Sequence, residues 1–195
     1  MPSSISAWGG QVLHDGSTWH MIASEIAQNC GINAWTRNSR IVHATSPFLD
    51  ASFVVDTVVH DIFAHEPTVA RAPTGEWVMW YTSGLTAPRD APCNCSDGST
   101  PPSCSGTYSA DPSFLSTAPS LAGPWSKPLL VPLLDCNATY CQHDMNLAGV
   151  IHDNNSFVGL VKVWVRYRIE VIRYWYARGL ELHPKYILMY PTPGA

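Results

Sequence analysis

Charge is scarce in this sequence. Only 13% of its 195 residues are Asp, Glu, Lys or Arg, about half the roughly 25% of ordinary soluble domains. The 11 basic residues form no stripe and the formal net charge is −4, so the electrostatic footprint of a nucleic-acid binder is missing. Long apolar runs are missing too. No stretch approaches the roughly 18 residues that cross a bilayer as a helix, which excludes a membrane-spanning helix. The opening MPSSISAWGGQVLH has neither a basic n-region nor an apolar h-region, so no secretory signal is legible in it. A Gly-rich phosphate loop and a G-x-S-x-G elbow are also lacking, and no cofactor is expected.

Aromatic residues and proline are plentiful, with 8 Trp, 8 Tyr and 16 Pro. Low charge with many aromatics suits an extracellular all-β protein. Six cysteines (Cys30, Cys93, Cys95, Cys104, Cys136, Cys141) sit in loop-like sequence and read as a disulfide framework. Cys136–Cys141, closing a small loop, is the pairing expected first. The competing reading is zinc held by Cys93, Cys95, Cys104, Cys136, Cys141 and His143, but C-x-C-x8-C with C-x4-C-x-H matches no common structural zinc spacing. No metal is expected. The sequons at Asn94, Asn137 and Asn154 point to secretion as well. The segment directing export is expected to lie outside this chain.

Three stretches repeat one pattern: WGGQVLHDGSTWHMIASE (8–25), HEPTVARAPTGEWVMWYTSG (65–84) and DMNLAGVIHDNNSFVGLVKV (144–163). In each a small or polar opening leads into an alternating strand. A two-residue turn is expected next, at Asp15-Gly16, Thr74-Gly75 and Asn154-Asn155, and then a second strand rich in aromatic and β-branched residues. A second element recurs behind the first two, since NSRIVHATSPFLDASF (38–53) matches DPSFLSTAPSLAGPWSKPL (111–129). Hairpin plus hairpin makes a unit of about four strands, and tandem four-stranded units signify a β-propeller. A β-sandwich would also give short strands, but not the same hairpin with the same partner.

The runs SAWGGQVLHDGSTWHMIASE, CGINAWTRNSRIVHATS, FAHEPTVARAPTGEWVMWYTSG, STAPSLAGPWSK and DMNLAGVIHDNNSFVGLVKVW resemble the arabinanase/levansucrase/invertase superfamily of five-bladed β-propeller glycoside hydrolases, family 43/32-like. The resemblance covers about residues 6–164. It implies a pocket at one end of the propeller axis, lined by the starts of the innermost strands. Here those starts are Trp8-Gly9-Gly10, His65-Glu66-Pro67 and His143-Asp144-Met145-Asn146.

Glycoside hydrolysis needs a general acid and a second carboxylate, and in the resembled families three acids share the work. Asp144 falls where the acid that tunes the general acid would stand, and Glu66 on the neighbouring opening. These are the expected catalytic pair. The first-blade opening SAWGG offers no carboxylate, and the later Glu should come from beyond residue 165, where the match ends. Trp8 and Trp35 suit stacking on a sugar ring. His65, Arg37, His143 and Asn146 complete the substrate-binding set, with core roles as alternatives: packing for His65 and an ion pair with a buried acid for Arg37.

The expected organisation is therefore all-β, a partial propeller over 1–165 with blades near 6–56, 57–132 and 140–165. A non-matching tail spans 166–195. Basic residues outnumber acidic ones six to two over 162–195, against five to thirteen before it. The tail reads as a short helix or as two strands. About three blades cannot close a five-bladed ring, so a truncated chain is expected, with read-through into non-homologous sequence and a partner chain that completes the propeller as alternatives. The expected activity is hydrolysis or binding of a plant- or algal-type polysaccharide by a secreted glycoprotein. Its rivals are a non-catalytic carbohydrate-binding or structural protein on a degenerate glycosidase scaffold, and a metal-stabilised intracellular module.

Overall fold

The computed structural model describes residues 6–84, 91–95, 100–104, 112–131 and 147–152, together with the backbone of 156–163, 168–175 and 183–187. The fold is all-β, and the described residues form three four-stranded antiparallel meanders. The first sheet holds β1 (Ala7–His14), β2 (Trp19–Ile26), β3 (Ser39–Ser46) and β4 (Val54–His60). The second holds β5 (Ala64–Arg71), β6 (Trp77–Ser83), β7 (Ser113–Ala118) and the short β8 (Leu129–Leu130). The third holds β9 (Ala148–Ile151), β10 (Ser156–Val163), β11 (Arg168–Trp175) and β12 (His183–Ile187). Each sheet is ordered as the chain runs, which is the blade of a propeller. Of the two forms open to residues 166–195, two strands are what the structure holds, and both join the third sheet.

Burial explains the strand sequences. β2 and β6 are central in their sheets and covered on both faces, so WHMIASEI and WVMWYTS carry apolar or small residues almost throughout. β1 and β4 are sheet edges, and polar or exposed positions interrupt them. The matched segments 38–53 and 111–129 occupy equivalent places, each carrying the third strand of its blade and the turn into the fourth. Between the first two sheets lies a core of Ile22, Ile41, Ala64, Val69, Met79, Tyr81, Phe114 and Leu121.

The expected two-residue turns are longer in the structure. His14 pairs with Trp19 across Asp15–Thr18, and Arg71 pairs with Trp77 across Ala72–Glu76. The cause is local side-chain chemistry in the first case. Asp15 Oδ1 accepts the Ser17 and Thr18 amides at 2.8 and 2.9 Å and the Ser17 hydroxyl at 2.8 Å, so a capped Asx-type loop replaces a tight hairpin turn. These donors hold the Asp15 carboxyl well below the usual carboxylate range. In the second loop, Ala72 receives Gly75 N–H at 2.8 Å and donates to Glu76 O at 2.7 Å. The third turn, Asn154-Asn155, lies outside the described residues.

Blades meet along their first strands. β5 packs against β1, β2 and β3, and β9 packs against β5. At the start of β1 the register jumps between Trp8 and Gly10, leaving Gly9 as an extra residue at φ +52°. Gly10 has φ +150°, and a Cβ on it would sit 2.4 Å from Ile22 O and 2.6 Å from Ala23 Cα. Gly16 also has a positive φ of +106°, but open space surrounds it. Gly10→Ala is expected to destabilise the chain by roughly 2 kcal/mol or more, and Gly16→Ala by about 1 kcal/mol, in denaturant unfolding. Equal effects would contradict this packing.

His60 closes the core beneath Tyr81, with ring centroids 4.4 Å apart and Nε2 3.2 Å from Ser116 Oγ. Burial pushes its pKa down to about 4, below the ordinary value near 6.5 of an unfolded chain. The folded state thus binds fewer protons than the unfolded one across that interval. Stability should fall as pH drops from about 6.5 towards 4, and His60→Gln should remove part of that loss in Tm-versus-pH curves.

Candidate functional site

The site forms where β1 and β5 begin. Trp8 opens β1, His65 and Glu66 open β5, and Trp35 starts the single helical turn Trp35–Asn38 that follows a 3-10 turn at Ile32–Ala34. Trp8 stacks on His65 with centroids 5.3 Å apart and planes 24° from parallel. Trp35 meets His65 edge-on at 5.3 Å and Trp8 edge-on at 5.6 Å. Phe63 closes the far side of the imidazole at 4.7 Å. His65 is fully buried among these rings, whereas both indoles keep partial exposure. Trp8 Nε1 is buried and meets no hydrogen-bond partner among the described residues.

Glu66 has φ +53°, a left-handed conformation that is strained for a residue with a Cβ. Its neighbours fix it there. Its amide donates to Ser24 Oγ at 2.8 Å, and Ser24 is wholly buried at the end of β2. Gly9 lies against it, since a Cβ on Gly9 would fall 3.4 Å from Glu66 Cγ. The β5 register shifts between His65 and Thr68, so Glu66 and Pro67 bulge out of the ladder. Glu66 itself is partly exposed, with Oε2 shielded from solvent.

A disulfide-bonded loop backs the aromatic group. Cys30 bonds to Cys95, tying the segment after β6 to the loop after β2, and Cys93 bonds to Cys104 within that segment. The buried Asn38 side chain locks this junction. Its Nδ2 donates to Cys93 O at 2.7 Å and Ala27 O at 3.1 Å, and its Oδ1 accepts Cys93 N–H at 3.0 Å. Ile26, Ala34 and the four cysteines form a small core here, and Trp8 and Trp35 pack against it. Arg37 Nη1 stands 3.9 Å from Cys93 Sγ.

The structure thus brings Trp8, Trp35, His65 and Glu66 together and sets Arg37 beside the disulfide behind them. His143, Asp144 and Asn146 lie outside the described residues, as do Cys136 and Cys141. Three members of the zinc set, Cys93, Cys95 and Cys104, are committed to disulfides instead of a metal. Ser24 and Asn38 carry no sequence signal of these roles. Their hydrogen bonds join residues 42 and 55 positions apart, so no local pattern marks them. No helix among the described residues is long and apolar enough to cross a membrane.

No protein-family model and no curated protein matches the chain. Solved structures do. An exo-β-1,3-galactanase from Phanerochaete chrysosporium, solved with galactose, aligns over 87% of this chain and 35% of its own, with TM-score 0.55 and 16% identity. A family 117 glycoside hydrolase from the marine bacterium Zobellia galactanivorans aligns over 88% and 52%, with TM-score 0.59 and 12% identity. An α-L-arabinofuranosidase from Fusarium graminearum, solved with an iminosugar inhibitor, aligns over 89% and 44%, with TM-score 0.53 and 16% identity. The chain spans between about a third and a half of the length of these proteins. Its fold is part of the five-bladed β-propeller found in glycoside hydrolases.

Proposed function

We propose that this chain is the carbohydrate-engaging part of a secreted, glycoside-hydrolase-like propeller protein. The observation that carries the reading is the mouth itself. Two partly exposed indoles, braced by a buried imidazole, stand beside a carboxylate whose backbone is held in a strained conformation. Aromatic faces suit the apolar face of a sugar ring. His65, fully buried, positions the two indoles by packing and is not in reach of a ligand. Arg37, His143 and Asn146 bind the outer sugar hydroxyls in this reading. Strained residues concentrate at functional sites, which favours Glu66 as a working group over a mere strand opening.

In the hydrolytic form, one of Glu66 and Asp144 protonates the leaving glycosidic oxygen. The other, as nucleophile or as base for water, completes cleavage of the bond at the anomeric carbon. The similar proteins are named for a β-1,3-galactan and for α-L-arabinofuranosides. Neutral plant- or algal-type polysaccharides of those kinds are the proposed substrates. The disulfides suit an oxidising compartment, and Asn94, exposed between two bonded cysteines, is the described sequon open to a glycan.

One observation favours a second reading, binding without hydrolysis. The first-blade opening carries Trp8 where a catalytic carboxylate is expected. Reducing-end release from β-1,3-galactan, arabinan and xylan decides between them. Hydrolysis that drops about 100-fold or more in both Glu66→Gln and Asp144→Asn supports the enzyme. Oligosaccharide binding that is lost in Trp8→Ala, with no turnover by the wild type, supports the binding protein. Neither binding nor turnover would overturn both.

A further inference from the structure

Towards the other end of the first blade, four titratable side chains form one line that the sugar site does not use. Asp15 Oδ2, in the β1–β2 loop, lies 3.0 Å from His20 Nε2. His20 Nδ1, on β2, lies 2.8 Å from His43 Nε2 on β3. His43 Nδ1 lies 2.7 Å from Asp56 Oδ1 on β4. The imidazoles are buried, 7% and 0% exposed, while the carboxylates at either end keep 36% and 43% of their side-chain surface in solvent.

Counting protons fixes the charge of this line. An ionised carboxylate only accepts hydrogen bonds, so His20 Nε2 and His43 Nδ1 each carry a hydrogen. The central contact of 2.8 Å is attractive only if one of its two nitrogens carries a third hydrogen. Two lone pairs, or two N–H groups, would repel at that distance. Three hydrogens on four nitrogens make one imidazole and one imidazolium. We propose that His20 and His43 share a single positive charge between Asp15 and Asp56, and that this shared proton clamps β2, β3 and β4 of the first blade together.

Other charged groups on the elements packed here are engaged elsewhere. His14 on β1 meets the Trp19 ring at a tilt, 4.7 Å away, and Glu25 on β2 pairs with Arg40 on β3 at 2.9 Å. His60 on β4 faces Tyr81 and Ser116, and Asp61 beyond it accepts the Ile62 amide. On β5, His65 and Glu66 belong to the mouth and Arg71 lies over Trp77 at 5.7 Å. Asp50 is exposed in the β3–β4 loop and Glu76 sits near Thr74 in the β5–β6 loop. Among the described residues, only Asp15 and Asp56 hydrogen-bond to the pair from outside it.

Two measurements on the full chain test the proposal. Long-range proton–nitrogen correlation spectra at pH 7 should show three protonated ring nitrogens on His20 and His43. Two, a neutral pair, or four, a doubly charged pair, would overturn it. In thermal unfolding at pH 7, Asp56→Asn should lower the Tm by several degrees, because the shared charge loses a carboxylate partner, and Asp50→Asn, at an exposed loop carboxylate, should not. A Tm unchanged by Asp56→Asn would contradict a clamp built on the shared charge.

Discussion

A propeller blade begins with a strand that has no ladder partner on its inner side, and β5 shows how this chain meets that constraint. Its free edge carries backbone N–H groups whose burial without an acceptor would each cost about 1–3 kcal/mol. The first blade supplies acceptors from its own side chains. Ser24 Oγ takes Glu66 N–H at 2.8 Å, and Gln11 Oε1 takes Val69 N–H at 2.8 Å. Pro67, between them, has no N–H to satisfy. Blade–blade docking is thereby fixed in register by two polar bonds set in the apolar contact of Ile22, Ile41, Ala64 and Val69.

The mouth follows from that docking. Holding Glu66 N–H on Ser24 sets the residue at positive φ and turns His65 into the space between Trp8, Trp35 and Phe63. The Gly9 bulge makes room for Glu66 on the opposing strand. Disulfides and Asn38 then anchor the helical turn that presents Trp35. Each wall of the site thus comes from a different segment: β1, β5, the turn after β2, and the loop after β6. A site assembled this way is rigid without lying on a single element.

Its architecture was legible because a propeller repeats. The recurring hairpins and the paired Ala-Thr-Ser and Ser-Thr-Ala strands reveal four-stranded units without any knowledge of contacts. Turn length was not legible, since Asp15 caps a four-residue loop by hydrogen bonds that an Asp-Gly pair does not announce. Within the site, Trp8, His65 and Glu66 were legible as polar or aromatic groups that open otherwise apolar strands, and Trp35 as an aromatic suited to a sugar face. Partners distant in sequence stayed hidden. Cys30 finds Cys95 across 65 residues, and nothing in their spacing distinguishes that pairing from the others six cysteines allow. His20 and His43 likewise look like unrelated core histidines until strand register places them nitrogen to nitrogen.

The sugar-binding surface proposed at the junction of the first two blades is built on Trp8, Trp35 and Glu66. Titrating the nitrogen-labelled chain with galacto- and arabino-oligosaccharides, and following indole and backbone amide resonances, tests it directly. Shifts are expected at the Trp8 and Trp35 indoles and at the Glu66 amide. Trp19 and Trp77, on the distant ends of their strands, should stay fixed. Unmoved Trp8 and Trp35 signals at saturating sugar, or shifts centred on Trp19 and Trp77, would contradict it.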